Sequence, residues 1–261
     1  MEMKEQEKQI LITAGAANTG YGVATLFAQK GWTVHITSRD RFRAEAAAEK
    51  LRSESNNPRV FGYALELRKT EDIFAFFKKL GEKIDHLDAF VQCAADLGIT
   101  DHDVFTVTPE EMDSLLEINL RGGFFSCREA AKMMRDRGGS IVTFSSITYR
   151  YIVHNRVGYI TTKGGIVSMT KALALDLAPY GIRVNCILPG LVATDRFDRM
   201  PDAEKMRRRS VYPLRESYPS DLASATYYLV SDMSLNVTGT ELVVDGGSGI
   251  QAATATSNPI R

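Results

Sequence analysis

Ile10-Leu11-Ile12-Thr13-Ala14-Gly15-Ala16-Ala17-Asn18-Thr19-Gly20-Tyr21-Gly22 is a short apolar run that passes through a glycine-rich turn into a helical pattern. The run at 10–13 is strand-like, and the periodicity beyond the turn predicts a helix over 21–30. Glycine lets the chain turn sharply and bring its backbone close to a ligand, and the free amides opening a helix favour an anion such as a pyrophosphate. Alone, the turn has two readings. Strand-to-helix connections also use glycine for geometry with no ligand at all, and the spacing here is not Gly-x-Gly-x-x-Gly.

The same alternation continues to the far end of the chain. Apolar runs at 34–37, 60–64, 87–92, 141–145, 183–187 and 241–244 read as further strands. Helical patterns lie between them near 44–54, 71–80, 110–134, 158–178 and 220–231. Strands separated by helices imply βαβ units, and right-handed crossovers put helices on both faces of a mostly parallel sheet. The expected fold is α/β: a single domain over 1–261 built on a doubly wound, Rossmann-like, seven-stranded parallel sheet. Such sheets take their ligands beyond the carboxyl ends of the strands, so functional residues are sought just after each strand. No internal repeat or linker divides the chain.

Bulk composition narrows the function. A chain of 261 residues, 44% hydrophobic and 25% charged, can bury a substantial core. Lys+Arg and Asp+Glu balance at 32 each, which leaves no global field to recruit nucleic acid or an anionic membrane. The opening Met1-Glu2-Met3-Lys4-Glu5-Gln6-Glu7-Lys8-Gln9 is charged, unlike a secretory signal, and no apolar stretch is long enough to span a bilayer. Cys93, Cys127 and Cys186 are odd in number and form no Cys-x-x-Cys pair, so neither a disulfide framework nor a metal site is expected. Reduced thiols in the cytoplasm fit this pattern.

After the second strand stand Ser38 and Arg39. A carboxylate at this point accepts from a ribose 2′-hydroxyl and repels a 2′-phosphate; a hydroxyl beside a guanidinium does the reverse. NADP(H) is the favoured cofactor on that reading, with NAD(H) as the alternative. The stretch Arg39, Asp40, Arg41, Arg43 also reads as a solvated charged loop.

The richest chemistry lies between Ser145 and Asp195. Ser145-Ser146 closes a strand, and Tyr159-Ile160-Thr161-Thr162-Lys163 lies in a helix, placing Tyr159 and Lys163 one turn apart on one face. A free phenol titrates near ~10, and a neighbouring ammonium favours its phenolate. Ser146 supplies a hydrogen-bond donor where charge develops on a substrate oxygen. Proton donor, tuning cation and oxyanion partner are what carbonyl reduction needs. As a bare pair, Tyr and Lys four apart are common on helices with no function, so the surroundings decide.

Those surroundings resemble the short-chain dehydrogenase/reductase family over nearly the whole chain. The pieces occur in the family's order. They are the glycine turn, Asn119 within Glu117-Ile118-Asn119-Leu120-Arg121-Gly122, Ser146 thirteen residues before Tyr159, Tyr-x-x-x-Lys, Pro189-Gly190, Val237-Thr238-Gly239-Thr240, and Val244-Asp245-Gly246-Gly247. The resemblance implies Tyr159 as acid/base, Lys163 as its tuning cation and ribose ligand, Ser146 as carbonyl-orienting donor, and Asn119 holding a relay water. It implies cofactor contacts from Gly15, Asn18, Thr19, Gly20 and Tyr21 in the turn, and from Ser38 and Arg39 after the second strand. Leu65, Glu66 and Ala94 would lie around the adenosine. Pro189, Gly190, Val192 and Thr194 would hold the nicotinamide beside Tyr159 and Lys163. It also implies a small carbonyl or alcohol substrate, a homo-oligomer, commonly a tetramer, and, from the close Tyr–Lys spacing, ketone/alcohol chemistry.

The sequence departs from the family pattern in three places. Either Ala16 stands where the family turn has glycine, or Thr13-Ala14-Gly15 carries one inserted residue. The family's Asn-Asn-Ala-Gly reads Gln92-Cys93-Ala94-Ala95, and Glu66 replaces an adenine-side Asp. These departures motivate a second hypothesis, a nucleotide-sensing protein without catalysis; an enoyl reductase is a third. Between Ser146 and Tyr159, Arg150, His154 and Arg156 are candidates to meet an anionic group, with Tyr149 and Tyr151 packing on an apolar body; a solvated loop or a subunit contact is the other reading. The segment 196–215, with Arg207-Arg208-Arg209, reads as a lid or a solvated helix.

Overall fold

In a computed structural model that describes residues 8–98 and 103–251, the apolar runs pair side by side into one sheet. The charged opening at 1–7 lies outside the described residues. The strands are β1 (Gln9–Ile12), β2 (Thr33–Ser38), β3 (Val60–Ala64), β4 (Ala89–Gln92), β5 (Gly139–Phe144), β6 (Ile182–Pro189) and β7 (Glu241–Val244). All neighbours are parallel, in the order β3-β2-β1-β4-β5-β6-β7. Register at the centre sets Ile10 beside Val34 on one side and Ala89 on the other.

The helices are α1 (Asn18–Gln29), α2 (Arg41–Ser55), α3 (Thr70–Gly81), α4 (Pro109–Leu115), α5 (Gly123–Met134), α6 (Val157–Leu177), α7 (Asp195–Asp198), α8 (Asp202–Arg209) and α9 (Pro219–Val230). Strand side chains alternate between the two faces. Ile10 and Ile12 pack with Val23, Phe27 and Leu222 in one core, while Leu11 packs with Ile73, Phe77 and Met134 in another. Both faces are therefore covered, which is why the central strands read as unbroken apolar runs.

Strand order reverses between β1 and β4. The loops leaving these two strands diverge and open a crevice at the carboxyl edge, the place where doubly wound sheets hold a ligand. One difference from the sequence reading lies nearby. The helix expected over 110–134 is interrupted by a π-helical turn, Leu116–Gly122, between α4 and α5. At its end, a Cβ on Gly122 would stand 2.5 Å from the Leu67 carbonyl oxygen, so the helix meets the loop after β3 backbone to backbone. π-turns are frequent at functional sites, and this one carries Asn119.

Candidate active site

The turn after β1 has little slack. A Cβ on Gly15 would lie 2.6 Å from Ile36 Cγ2, one on Gly20 2.3 Å from the Ala14 carbonyl oxygen, and one on Gly22 2.6 Å from Pro219 Cβ. Gly15 lets the turn press against β2, Gly20 lets it fold on itself, and Gly22 lets α1 close on α9. The left-handed residues here are Ala14 (φ 52°) and Asn18 (φ 50°), so the steric demand of the altered turn falls on Ala14 and not on Ala16. Asn18 also accepts from the Asp195 amide at 3.2 Å, which ties the turn to the start of α7. Tyr21 turns its hydroxyl to Glu54 (2.7 Å), so its side chain leans on α2.

The Gln92-Cys93-Ala94-Ala95 tract is held by β1. The Thr13 hydroxyl accepts from the amides of Cys93 (3.0 Å) and Ala94 (3.1 Å) and donates to Gln92 Oε1 (3.1 Å). Gln92 in turn donates to the Ala94 carbonyl at 3.3 Å.

Between these loops lies a cleft of about 370 Å³, lined by Asn18, Ser38, Arg39, Leu65, Glu66 and Ala94. Six residues that sequence reading assigned to one ligand thus come together on one wall. Arg43 and Arg68 line it too, and neither had been singled out as a contact. Of the nearby carboxylates, Asp96 accepts from Gly98 N (2.9 Å) and Ser114 Oγ (2.6 Å), and two others are turned onto main chain. Asp40 caps α2 by accepting from Arg43 N (2.9 Å), and Glu66 accepts from Arg68 N (3.0 Å). A larger groove of about 950 Å³ runs along edge strand β3 and shares Arg39, Leu65 and Glu66 with the cleft; Asn119, Ser146, Tyr159 and Lys163 line neither.

Helix α6 carries Tyr159 and Lys163. The Lys163 ammonium, 5.4 Å from the centre of the Tyr159 ring, donates to the Phe144 carbonyl at 2.9 Å. An ammonium has three N–H donors, so others remain for the phenol and for a ligand hydroxyl. Ser145 Oγ donates back to the Lys163 carbonyl at 2.8 Å, a second tie between the chain leaving β5 and α6. Arg156 sets its guanidinium 4.2 Å from the centre of the same Tyr159 ring and donates to the Leu97 carbonyl (2.7 Å). Two cations therefore lie close to the one ring.

Ser146 is 8% exposed and caps a 3₁₀ turn, Ile147–Tyr149, through its side chain. Asn119, 2% exposed, donates to the Asp96 carbonyl (2.9 Å) and to Thr162 Oγ1 (3.0 Å) and accepts from Asp96 N (2.7 Å). It braces the loop after β4 against α6. One lone pair of its amide oxygen remains for a water. Pro189 and Gly190 end β6, where a Cβ on Gly190 would meet Asp245 Cβ and Tyr212 Cε1 at 2.9 Å. Val192 bridges to Ser217, and Thr194 precedes α7 at its N-cap position without a side-chain capping bond.

The basic loop differs from one candidate reading. Arg150 is paired with Glu241, which also engages Tyr149 and, at 2.6 Å, Lys171. Arg150 and Tyr149 therefore pin the loop to β7 and do not present a free cation. Burial by itself raises the Glu241 carboxyl, yet hydrogen bonds from Lys171, Tyr149 and Arg150 hold it down at about 2. In 196–215, Arg207 and Arg208 pair with Glu204 on solvated α8, and Arg209 with buried Glu216. Cys93, Cys127 and Cys186 are unpaired, and burial pushes the Cys127 thiol up to about 12. Among the described residues no group of His, Cys, Asp and Glu gathers to hold a metal, and no helix is long and apolar enough to cross a membrane.

Fold and site together define a dinucleotide-dependent oxidoreductase. Comparison with known proteins agrees. A family model described as enoyl-(acyl carrier protein) reductase matches residues 15–249. The 3-oxoacyl-(acyl-carrier-protein) reductase of Aquifex aeolicus is 31% identical over 250 residues, covering 95% of this chain and 99% of the relative. Cyclopentanol dehydrogenase of Comamonas testosteroni is 33% identical over 245 residues, covering 92% and 96%. The crystal structure of the 3-ketoacyl-(acyl-carrier-protein) reductase from Brucella melitensis complexed with NADH superposes with a TM-score of 0.84 at 29% identity, covering 93% of this chain and 98% of that one. The chain belongs to the short-chain dehydrogenase/reductase family, and it is an NAD(P)H-dependent oxidoreductase acting at a CH–OH/C=O centre.

Proposed function

We propose that this single-domain enzyme interconverts a ketone or aldehyde and the matching alcohol, with Tyr159 as proton donor and acceptor and NADP(H) as preferred cofactor. The observation that carries the reading is the Tyr159 ring held against the Lys163 ammonium on α6, with that ammonium fastened to Phe144 beside Ser146. Two relatives whose names specify an alcohol or an oxoacyl substrate support the substrate class.

The residues present fit a dinucleotide. At Gly20 the turn brings main chain together where a Cβ would block it, and Lys163 keeps donors in hand. When bound, the nicotinamide supplies or accepts the hydride. Everything else falls to this chain. In reduction, Ser146 donates to the carbonyl oxygen as negative charge grows there, and Tyr159 passes its phenolic proton to the same oxygen, completing the alcohol. The cations of Lys163 and Arg156 stand beside the ring that gives up this proton. Asn119 holds the relay water through which the proton is restored, and Pro189, Gly190, Val192 and Thr194 support the nicotinamide.

Arg39 and Arg43 on the cleft wall, with Asp40 and Glu66 turned onto main-chain amides, support NADP(H) over NAD(H). The exposed apolar side chains Phe124 on α5 and Leu175 on α6 support a homo-oligomer, a tetramer by analogy with the family. Unpaired cysteines support a cytoplasmic setting.

A panel of ketones and alcohols, followed by absorbance of the reduced nicotinamide, tests the reading with wild type and Tyr159→Phe. The variant is expected to lose roughly 10²–10⁴ in turnover while NADPH binding, measured by fluorescence, is retained. Undiminished turnover refutes the role of Tyr159. Reduction of C=C bonds without carbonyl activity refutes the substrate class.

A further inference from the structure

Ser146 must offer its hydroxyl proton to a substrate oxygen, yet a serine hydroxyl rotates freely unless something fixes it. A hydroxyl has one hydrogen to give and two lone pairs to receive with. Here Ser146 Oγ accepts from the Thr148 amide at 3.2 Å and from Thr148 Oγ1 at 2.9 Å. Both lone pairs are engaged by the same residue. The remaining hydrogen is then directed away from Thr148.

The donor residue is itself held. Its 3₁₀ turn is closed on one side by Ser146 as cap, and the Arg150 and Tyr151 amides reach back to the Ile147 carbonyl at 3.0 and 2.9 Å. On the other side, Tyr149 and Arg150 are tied to Glu241 on β7, which Lys171 of α6 also grips at 2.6 Å. Thr148 therefore sits on a short arch anchored at both ends, with its hydroxyl pointed back at the reactive serine.

We propose that Thr148 is a positioning residue for Ser146: its amide and hydroxyl saturate the serine oxygen as acceptor, so that the serine proton is presented to the substrate carbonyl. The inference rests on the assignment of Ser146 above. A donor already oriented when charge develops needs no reorganisation during the reaction, and this is where such groups gain their effect. Thr148 acts through Ser146, without touching the reacting atoms.

The test is a double-mutant cycle in the full-length enzyme, using cyclopentanone and ethyl acetoacetate as probe ketones with saturating NADPH. Thr148→Val keeps the shape and the amide bond and removes only the hydroxyl. It is expected to lower kcat roughly fivefold, the size of one net hydrogen bond, with the KM for NADPH unchanged. Thr148→Ser restores the donor and is expected to rescue most of that loss. In a Ser146→Ala background, Thr148→Val is expected to cost nothing further, because its route to the substrate has already been removed. A purely structural threonine gives additive losses in the cycle, and that result overturns the proposal; so does Thr148→Val at wild-type kcat. If Ser146→Ala alone leaves turnover intact, or wild type turns over neither ketone, the assignment of Ser146 fails and takes this inference with it. The arms thus tell the two failures apart.

Discussion

Two adjacent residues in the turn after β1 are expected to respond to opposite substitutions. Ala14 holds φ at 52° with its methyl in solvent, so it bears the left-handed penalty of an L-residue, about 1–2 kcal/mol, with no packing in return. Ala14→Gly removes that penalty and loses about 0.4–1 kcal/mol through the greater freedom of the unfolded chain. The net is a gain of roughly 0.5–1 kcal/mol, or about 1–4 °C in Tm for a protein of this size. Gly15 is the reverse case. Its φ is not left-handed, but a Cβ there would lie 2.6 Å from Ile36 Cγ2 and 3.2 Å from the Ile12 carbonyl. Gly15→Ala therefore overpacks the turn against β2 and is expected to cost about 1–3 kcal/mol. Urea unfolding followed by tryptophan fluorescence, with thermal melts of wild type and both variants side by side, measures the pair. An Ala14→Gly protein that melts at or below wild type, or a Gly15→Ala protein as stable as wild type, refutes the account of the turn.

Arg39→Ala is expected to raise the KM for NADPH about tenfold and to leave that for NADH nearly unmoved, the effect of removing a charge-assisted contact. Steady-state kinetics with both cofactors checks it, and an unchanged preference dismisses the reading of the Ser38-Arg39 pair. Glu241→Gln addresses pH. Because the folded carboxyl is held at about 2, below its ordinary 4.5, its stabilising effect is present above about 4.5 and fades as pH falls toward 2. The difference in urea midpoint between wild type and Glu241→Gln should be wide at pH 7 and narrow at pH 3; equal gaps at both values contradict the ion cluster.

Much of the architecture was legible in sequence because short apolar runs alternate with longer helical periods, and this marks even the half-exposed edge strands. The reading placed β3 and β7 on their observed residues and the other strands within a few positions. The π-turn at Leu116–Gly122 was not legible, since its neighbour is the Leu67 carbonyl, far away in the chain. The same applies to Arg150. On its own loop it looks like a free cation, and only folding brings Glu241, 91 positions later, against it. Tyr159 and Lys163 were legible because one helical turn fixes their relation without help from the rest of the fold. Thr148 carried no signal beyond its place two residues after Ser146, and Arg43 was lost in a charged stretch that looked uniform.

The Thr13 hydroxyl, just past the carboxyl end of β1, has a wider consequence. One oxygen atom serves two amides and one carboxamide from a strand whose residues lie about eighty positions later. A tract that looks defective when read along its own strand is complete once its lateral neighbour is counted. The burden of keeping the middle of the sheet closed has moved sideways, onto a residue whose own strand gives no hint of it. That concentrates risk: a change at 13 would release three polar groups at once, at the point where the two halves of the sheet part.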